Sequence, residues 1–114
     1  MKREYRDYLV DVFQAIEKIE QFTRGMTFDD FKDDTKTLFA VIRALEIIGE
    51  AVKKIPLAVK VKYKEIPWKE ISGMRDKLIH EYFGVNIKVV WRTVKEDIPG
   101  IKPSIHGMIE KFSS

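Results

Sequence analysis

The stretch Trp68-Lys69-Glu70-Ile71-Ser72-Gly73-Met74-Arg75-Asp76-Lys77-Leu78-Ile79-His80-Glu81-Tyr82-Phe83 decides how the chain is read. Wound at about 100° per residue, it gathers Trp68, Ile71, Leu78, Ile79 and Tyr82 on one apolar arc and so predicts an amphipathic helix. Arg75 falls near the middle of that arc. A guanidinium is seldom buried unless paired, so a charge at the centre of a core-facing stripe must meet a carboxylate, line a cleft or face another subunit. His80 lies about 140° round from Arg75, at the edge of the arc. Asp76 stands four residues before His80 and close to its face, where it can hold the imidazole in one orientation.

Outward from this segment the dominant period stays helical. Tyr5, Leu9, Val12, Phe13, Ile16, Ile19 and Thr23 form one stripe, ended by Gly25. Asp33 or Asp34 can cap a second helix with Leu38, Val41, Ile42, Leu45, Ile48 and Val52 on one side, closing before Pro56. Gly49 lies in that stripe, where the missing side chain suits a close helix approach. Pro56 to Ile66 reads as the longest connection. Pro67 suits the first turn of the third helix, and Gly84 stops it. Asn86 can cap a fourth helix through Ile87, Val90, Trp91, Val94 and Ile98. A break at Pro99-Gly100 then leads to a fifth with Ile101, Ile105, Met108, Ile109 and Phe112. The expected fold is all-α: an antiparallel four-helix bundle with an additional C-terminal helix, one domain over 1–114.

Composition narrows the classes. Of 114 residues, 45% are hydrophobic and 34% charged, which describes a globular protein rather than a disordered chain. Cysteine is absent, so disulfides, thiolate nucleophiles and cysteine zinc sites are excluded. No apolar run approaches the roughly 18 residues of a membrane span, and no secretory pattern follows the first residues. A cytoplasmic protein without a membrane partner is expected. The net charge of +3 is too mild for general nucleic-acid affinity. His106 is expected to be exposed, and with two histidines in the chain no dedicated metal site is expected.

The pairing of Arg75 with His80 suits phosphodiester chemistry. Histidine titrates near neutrality and serves as base or acid, while arginine stays charged and grips phosphate in a bidentate fork. Read from packing alone, Arg75 could instead pair with Glu46 or Glu50, Tyr82 could be a core residue with its hydroxyl at the rim, and Asp76 could be an ordinary surface acid.

The order of Arg75, four residues, His80, one residue and Tyr82 resembles the signature of HEPN domains, and most closely the HepT-like toxins of toxin–antitoxin pairs. Arg43 through Ala51, Ile66-Pro67-Trp68, and Gly73 through Asn86 look like consecutive blocks of that family, so the resemblance spans most of the chain. It implies a homodimer whose motif helices face each other across one cleft, acting as a metal-independent endoribonuclease without cofactor. Arg75 and His80 would then be catalytic and Asp76 supporting, on an RNA substrate with tRNA as one candidate. It also implies a type VII-like pairing with a minimal nucleotidyltransferase antitoxin that silences the enzyme by attaching AMP to Tyr82. The competing reading is a non-catalytic nucleotide-binding HEPN module that supports a partner nucleotidyltransferase.

Further charges frame that site. Lys53, Lys54, Lys60, Lys62 and Lys64 surround Tyr63 in an interval without an acid, either as a solvated loop or as RNA contacts with salt-sensitive binding. Asp29, Asp30, Asp33 and Asp34 read as helix caps, and Glu46 and Glu50 as structural. Phe39, Ile47 and Val89 lie off the main stripes and are candidate interface residues.

Overall fold

The computed structural model describes residues 3–80 and 86–113, with the side chains of 75–80 and 113 outside the description. Helix α1, Tyr5–Thr23, opens where the Asp7 carboxylate accepts the Glu4 backbone N–H at 3.0 Å. It ends before Gly25, whose φ of 76° is the left-handed turn that glycine adopts without steric cost. A short α2, Phe28–Lys32, follows, opened by a reciprocal cap between Thr27 and Asp30. Helix α3, Thr35–Lys53, starts on Asp34, which accepts the Thr37 N–H at 3.0 Å and its hydroxyl at 2.7 Å. These donors favour the ionised carboxylate and hold Asp34 below the ordinary aspartate range. The acidic run therefore does capping work at Asp30 and Asp34, as the sequence predicts.

Helix α1 turns Leu9, Val12, Ile16 and Ile19 inward, and α3 answers with Val41, Leu45, Ile48 and Val52, all essentially without solvent contact. Each such side chain contributes about 1.5–3 kcal/mol on burial. The C-terminal helix α7, Ile98–Ser113, lies on the other side of α1. Tyr5 meets Phe112 edge to face at 4.8 Å, Phe13 meets His106 at 5.5 Å, and Glu20 binds Lys102 at 2.6 Å. Partners descend on one helix as they rise on the other, so the pair is antiparallel. Helix α5, Trp68–His80, packs on α3, and α6, Ile87–Arg92, meets α2 through rings of Phe31 and Trp91 with centroids 5.0 Å apart.

The all-α bundle is as expected, and two details differ. The interval after Pro56 contains a short helix, α4, Leu57–Lys60, in place of a bare connection. The predicted break at Pro99-Gly100 is absent: α6 runs through a π turn, Thr93–Asp97, straight into α7, which contains both residues. The Ile98 N–H reaches back five residues to the Thr93 carbonyl. A proline ring collides with the carbonyl four residues back in a regular α-helix, and the wider turn just before Pro99 relieves that collision. The predicted stop at Gly84 lies outside the described residues.

Candidate functional site

The helix that carries the motif is fixed firmly at its entry. Ile66 and Trp68 are buried, and the Trp68 indole N–H donates to the carbonyls of Lys60 and Tyr63 at 3.1 and 3.0 Å. The Ile71 N–H bonds the Pro67 carbonyl at 3.0 Å, which starts α5 at the predicted place. Ile71 is buried as well, and position 75 follows one helical turn later. The backbone is helical through His80, so His80 lies five positions after Arg75, about 7.5 Å along the axis and about 140° around it. The side chains of Arg75, Asp76 and His80 lie outside the described residues, and so does the whole of Tyr82.

Helix α3 supports α5 from behind. Glu46 and Glu50, the carboxylates weighed as partners for Arg75, are both half-buried, and the Glu50 Oε1 atom is sealed from solvent. Arg43 is exposed and shares a shallow groove with Glu50, Tyr8 and Lys54 on the α1–α3 face. The structural role expected of Glu46 and Glu50 agrees with this burial, while their relation to Arg75 falls outside the description.

The lysine group gathers at the start of α5. Lys53 closes α3, Lys54 follows it, Lys60 ends α4, and Lys62 and Lys64 lie in the turns held by Trp68. Burial holds Lys60 below the usual lysine range, because part of its ammonium hydration is lost. Twelve residues of helix separate Trp68 from His80, about 18 Å at 1.5 Å per residue. The lysines and His80 therefore sit toward opposite ends of the motif helix.

A cleft of about 760 Å³ opens between α5 and the α6–π–α7 helix. Its walls include Leu45, Ile71, Met74, Val89, Ile98 and Ile101, and its mouth carries Glu65, Glu70, Glu96 and Asp97. No lysine or arginine appears among the described lining residues. The ionisable groups among the described lining residues are the four carboxylates. Sequence reasoning missed this cleft, because Glu70 and the Glu96-Asp97 pair are brought opposite each other only by packing. Of the candidate interface residues, Phe39 is exposed, Ile47 is half-buried, and Val89 forms part of the cleft wall. His106 is exposed as expected and lies 3.4 Å from Glu110. No helix among the described residues is long and apolar enough to cross a membrane.

Comparison with known proteins is consistent from end to end. Residues 12–108 match the family model described as ribonuclease HepT-like. A Thermococcus cleftensis protein named as a probable ribonuclease HepT is 63% identical over 98% of both chains. A Methanocaldococcus jannaschii protein is 46% identical, covering 96% of this chain and 90% of its own, and carries RNase in its name. So does a Caldanaerobacter subterraneus protein, 44% identical over 93% of this chain and 95% of its own. No solved structure matches the chain.

Proposed function

The chain belongs to the ribonuclease HepT-like family, and from that membership we propose that it is the metal-independent endoribonuclease of a type VII-like toxin–antitoxin pair, acting through Arg75 and His80. The course of α5 carries the reading. One uninterrupted helix holds a permanent cation and a titratable base about 140° apart, so a single chain does not bring them together. Two such helices, antiparallel across a two-fold axis, set one protomer's Arg75 beside the other's His80 and complete the site in a homodimer.

In that site His80 takes the proton of a ribose 2′-hydroxyl, or returns one to the departing 5′-oxygen. The 2′-oxygen bonds to phosphorus as the bond to the 5′-oxygen breaks, leaving a cyclic phosphate and a free 5′-hydroxyl. Arg75 stabilises the charge that builds on the non-bridging oxygens. Asp76 orients His80. Lys53, Lys54, Lys60, Lys62 and Lys64 bind phosphates distant from the scissile bond and give the salt dependence of RNA binding. Transfer RNA is the substrate favoured by this reading.

Silencing follows from the same charges. A partner nucleotidyltransferase joins the Tyr82 hydroxyl to the α-phosphate of ATP and releases pyrophosphate. The new phosphodiester then competes with RNA for Arg75. The test is cleavage of cellular RNA by the purified protein in EDTA, comparing wild type with Arg75→Ala and His80→Ala after their folding is verified. Cleavage lost in both variants supports the enzyme. Equal cleavage in all three, or none in the unmodified wild type, favours the nucleotide-binding module. A mass gain of one AMP, absent from Tyr82→Phe, tests the modification separately.

A further inference from the structure

Tyr63 stands between Lys62 and Lys64 in the turns that join α4 to α5, and its backbone is pinned on both sides. Its N–H donates to the Lys60 carbonyl at 3.1 Å, and its own carbonyl accepts the Ile66 N–H at 3.1 Å and the Trp68 indole N–H at 3.0 Å. The ring is half-buried against the core. An aromatic group held this way loses little freedom when a second flat group is laid on it.

The tertiary fold adds a cation that the sequence keeps far away. Lys111, near the end of α7, brings its Nζ to 5.5 Å from the centre of the Tyr63 ring. Tyr63 is thus flanked by Lys60, Lys62 and Lys64 along the chain and approached by Lys111 from another helix. The acids next to this group in sequence have other places: Glu65 lies at the mouth of the α5 cleft, and Glu110 lies 3.4 Å from His106, one turn back along α7.

Cations around a fixed aromatic ring make a site for a nucleotide that has left its stack. The base lies on the ring, and the ammonium groups take the phosphates on either side. At an exposed position the hold of a lysine on a ring is weak, so an arriving base displaces Lys111 sideways, and the flexible four-carbon stem carries the ammonium to the adjoining phosphate. A base paired and stacked in a duplex has no free face to offer. An acidic protein surface would satisfy the lysines and make no use of the ring.

We propose that Tyr63 and Lys111 form a stacking subsite for an unpaired nucleotide of the RNA, with Lys60, Lys62 and Lys64 on the neighbouring phosphates. The subsite deepens the ribonuclease reading above and rests on it for the identity of the polymer: the RNA is single-stranded where it meets the start of α5. Trp68, whose indole holds this turn, is about 18 Å along α5 from His80, so the subsite selects substrate at a distance from the bond that breaks.

The test is equilibrium binding of a single-stranded oligonucleotide of about 16 nucleotides, methylated at every 2′-oxygen so that it is not cleaved, and of the same strand paired with its complement. The single strand is expected to bind more tightly, although the duplex carries more charge. Tyr63→Leu should weaken the single strand by about tenfold and leave the duplex nearly unchanged, while Tyr63→Phe, which keeps the ring, should bind like wild type. Lys111→Gln should lower the slope of log affinity against log salt by about 0.7, the share of one phosphate on a single strand. Native helicity is verified for each variant, and the strand preference together with the Lys111→Gln slope decides the matter if Tyr63→Leu does not fold. Preference for the duplex, a loss in Tyr63→Phe equal to that in Tyr63→Leu, or an unchanged slope in Lys111→Gln would overturn the subsite. The expected binding in a protein that cleaves no RNA upholds the subsite and sinks the ribonuclease reading. Cleavage that depends on Arg75 and His80, without the strand preference, does the reverse.

Discussion

The α1–α3 pair and the side of the bundle between α5 and α7 are made by the same helical period, with opposite results. Between α1 and α3, apolar stripes of equal length meet along their whole course, and the contact is sealed from solvent. Beside α5 the stripes diverge, leaving a cleft with apolar walls and carboxylates at its mouth. The sealed half holds the fold. The open half carries the motif helix.

The contrast can be broken most decisively through activity. Arg75→Ala or His80→Ala should lower RNA cleavage by about a hundredfold or more, measured on labelled RNA at fixed salt, with thermal unfolding little changed. A large loss of stability with cleavage retained would return α5 to the status of an ordinary core helix. Ile48→Ala, in the sealed half, should cost about 2–5 kcal/mol in urea unfolding. Val89→Ala, on the cleft wall, should cost less, about 1 kcal/mol, because the side chain is smaller and only partly buried. Equal losses at these two positions would mean that the cleft is closed in solution by something as tightly packed as the core.

Smaller effects sharpen the picture. Trp68→Phe keeps the ring and removes the N–H that holds the carbonyls of Lys60 and Tyr63. A loss of about 1 kcal/mol is expected, with faster hydrogen exchange through the turns after α4. Unchanged exchange would mean that the turns are held by apolar packing alone. The smallest effect is at Asp34. Its carboxyl titrates below its ordinary value in the folded chain, so its support of α3 is complete above that value and fades as pH falls through the lower, folded one. Asp34→Ala should therefore lose less stability than wild type between neutral pH and about pH 3, followed by circular dichroism.

Legibility varied along the chain for physical reasons. Long helices expose their period many times over, so α1 and α3 and their ends at Gly25 and Asp34 are readable. The four- and five-residue helices α4 and α2 complete little more than one turn and show no period. Only the Asp30 half of the Thr27–Asp30 cap is anticipated from the sequence. At Pro99 a local rule was misleading. The apolar spacing through Val94, Ile98, Ile101 and Ile105 continues unbroken, and all four side chains are buried, because the π turn absorbs the proline.

By itself the sequence determined the helical class, the principal core stripes, the caps and the placement of Arg75 and His80 on one helix. Each follows from contacts within a few residues, where period and hydrogen-bonding chemistry suffice. Tertiary structure decided that the lysines gather at the start of α5, about 18 Å along that helix from His80. It also set Glu70 across a cleft from Glu96 and Asp97, and left Leu57 and Val61 in solvent. These relations depend on how whole helices lie against one another, and no local pattern encodes the gap between two faces that do not meet.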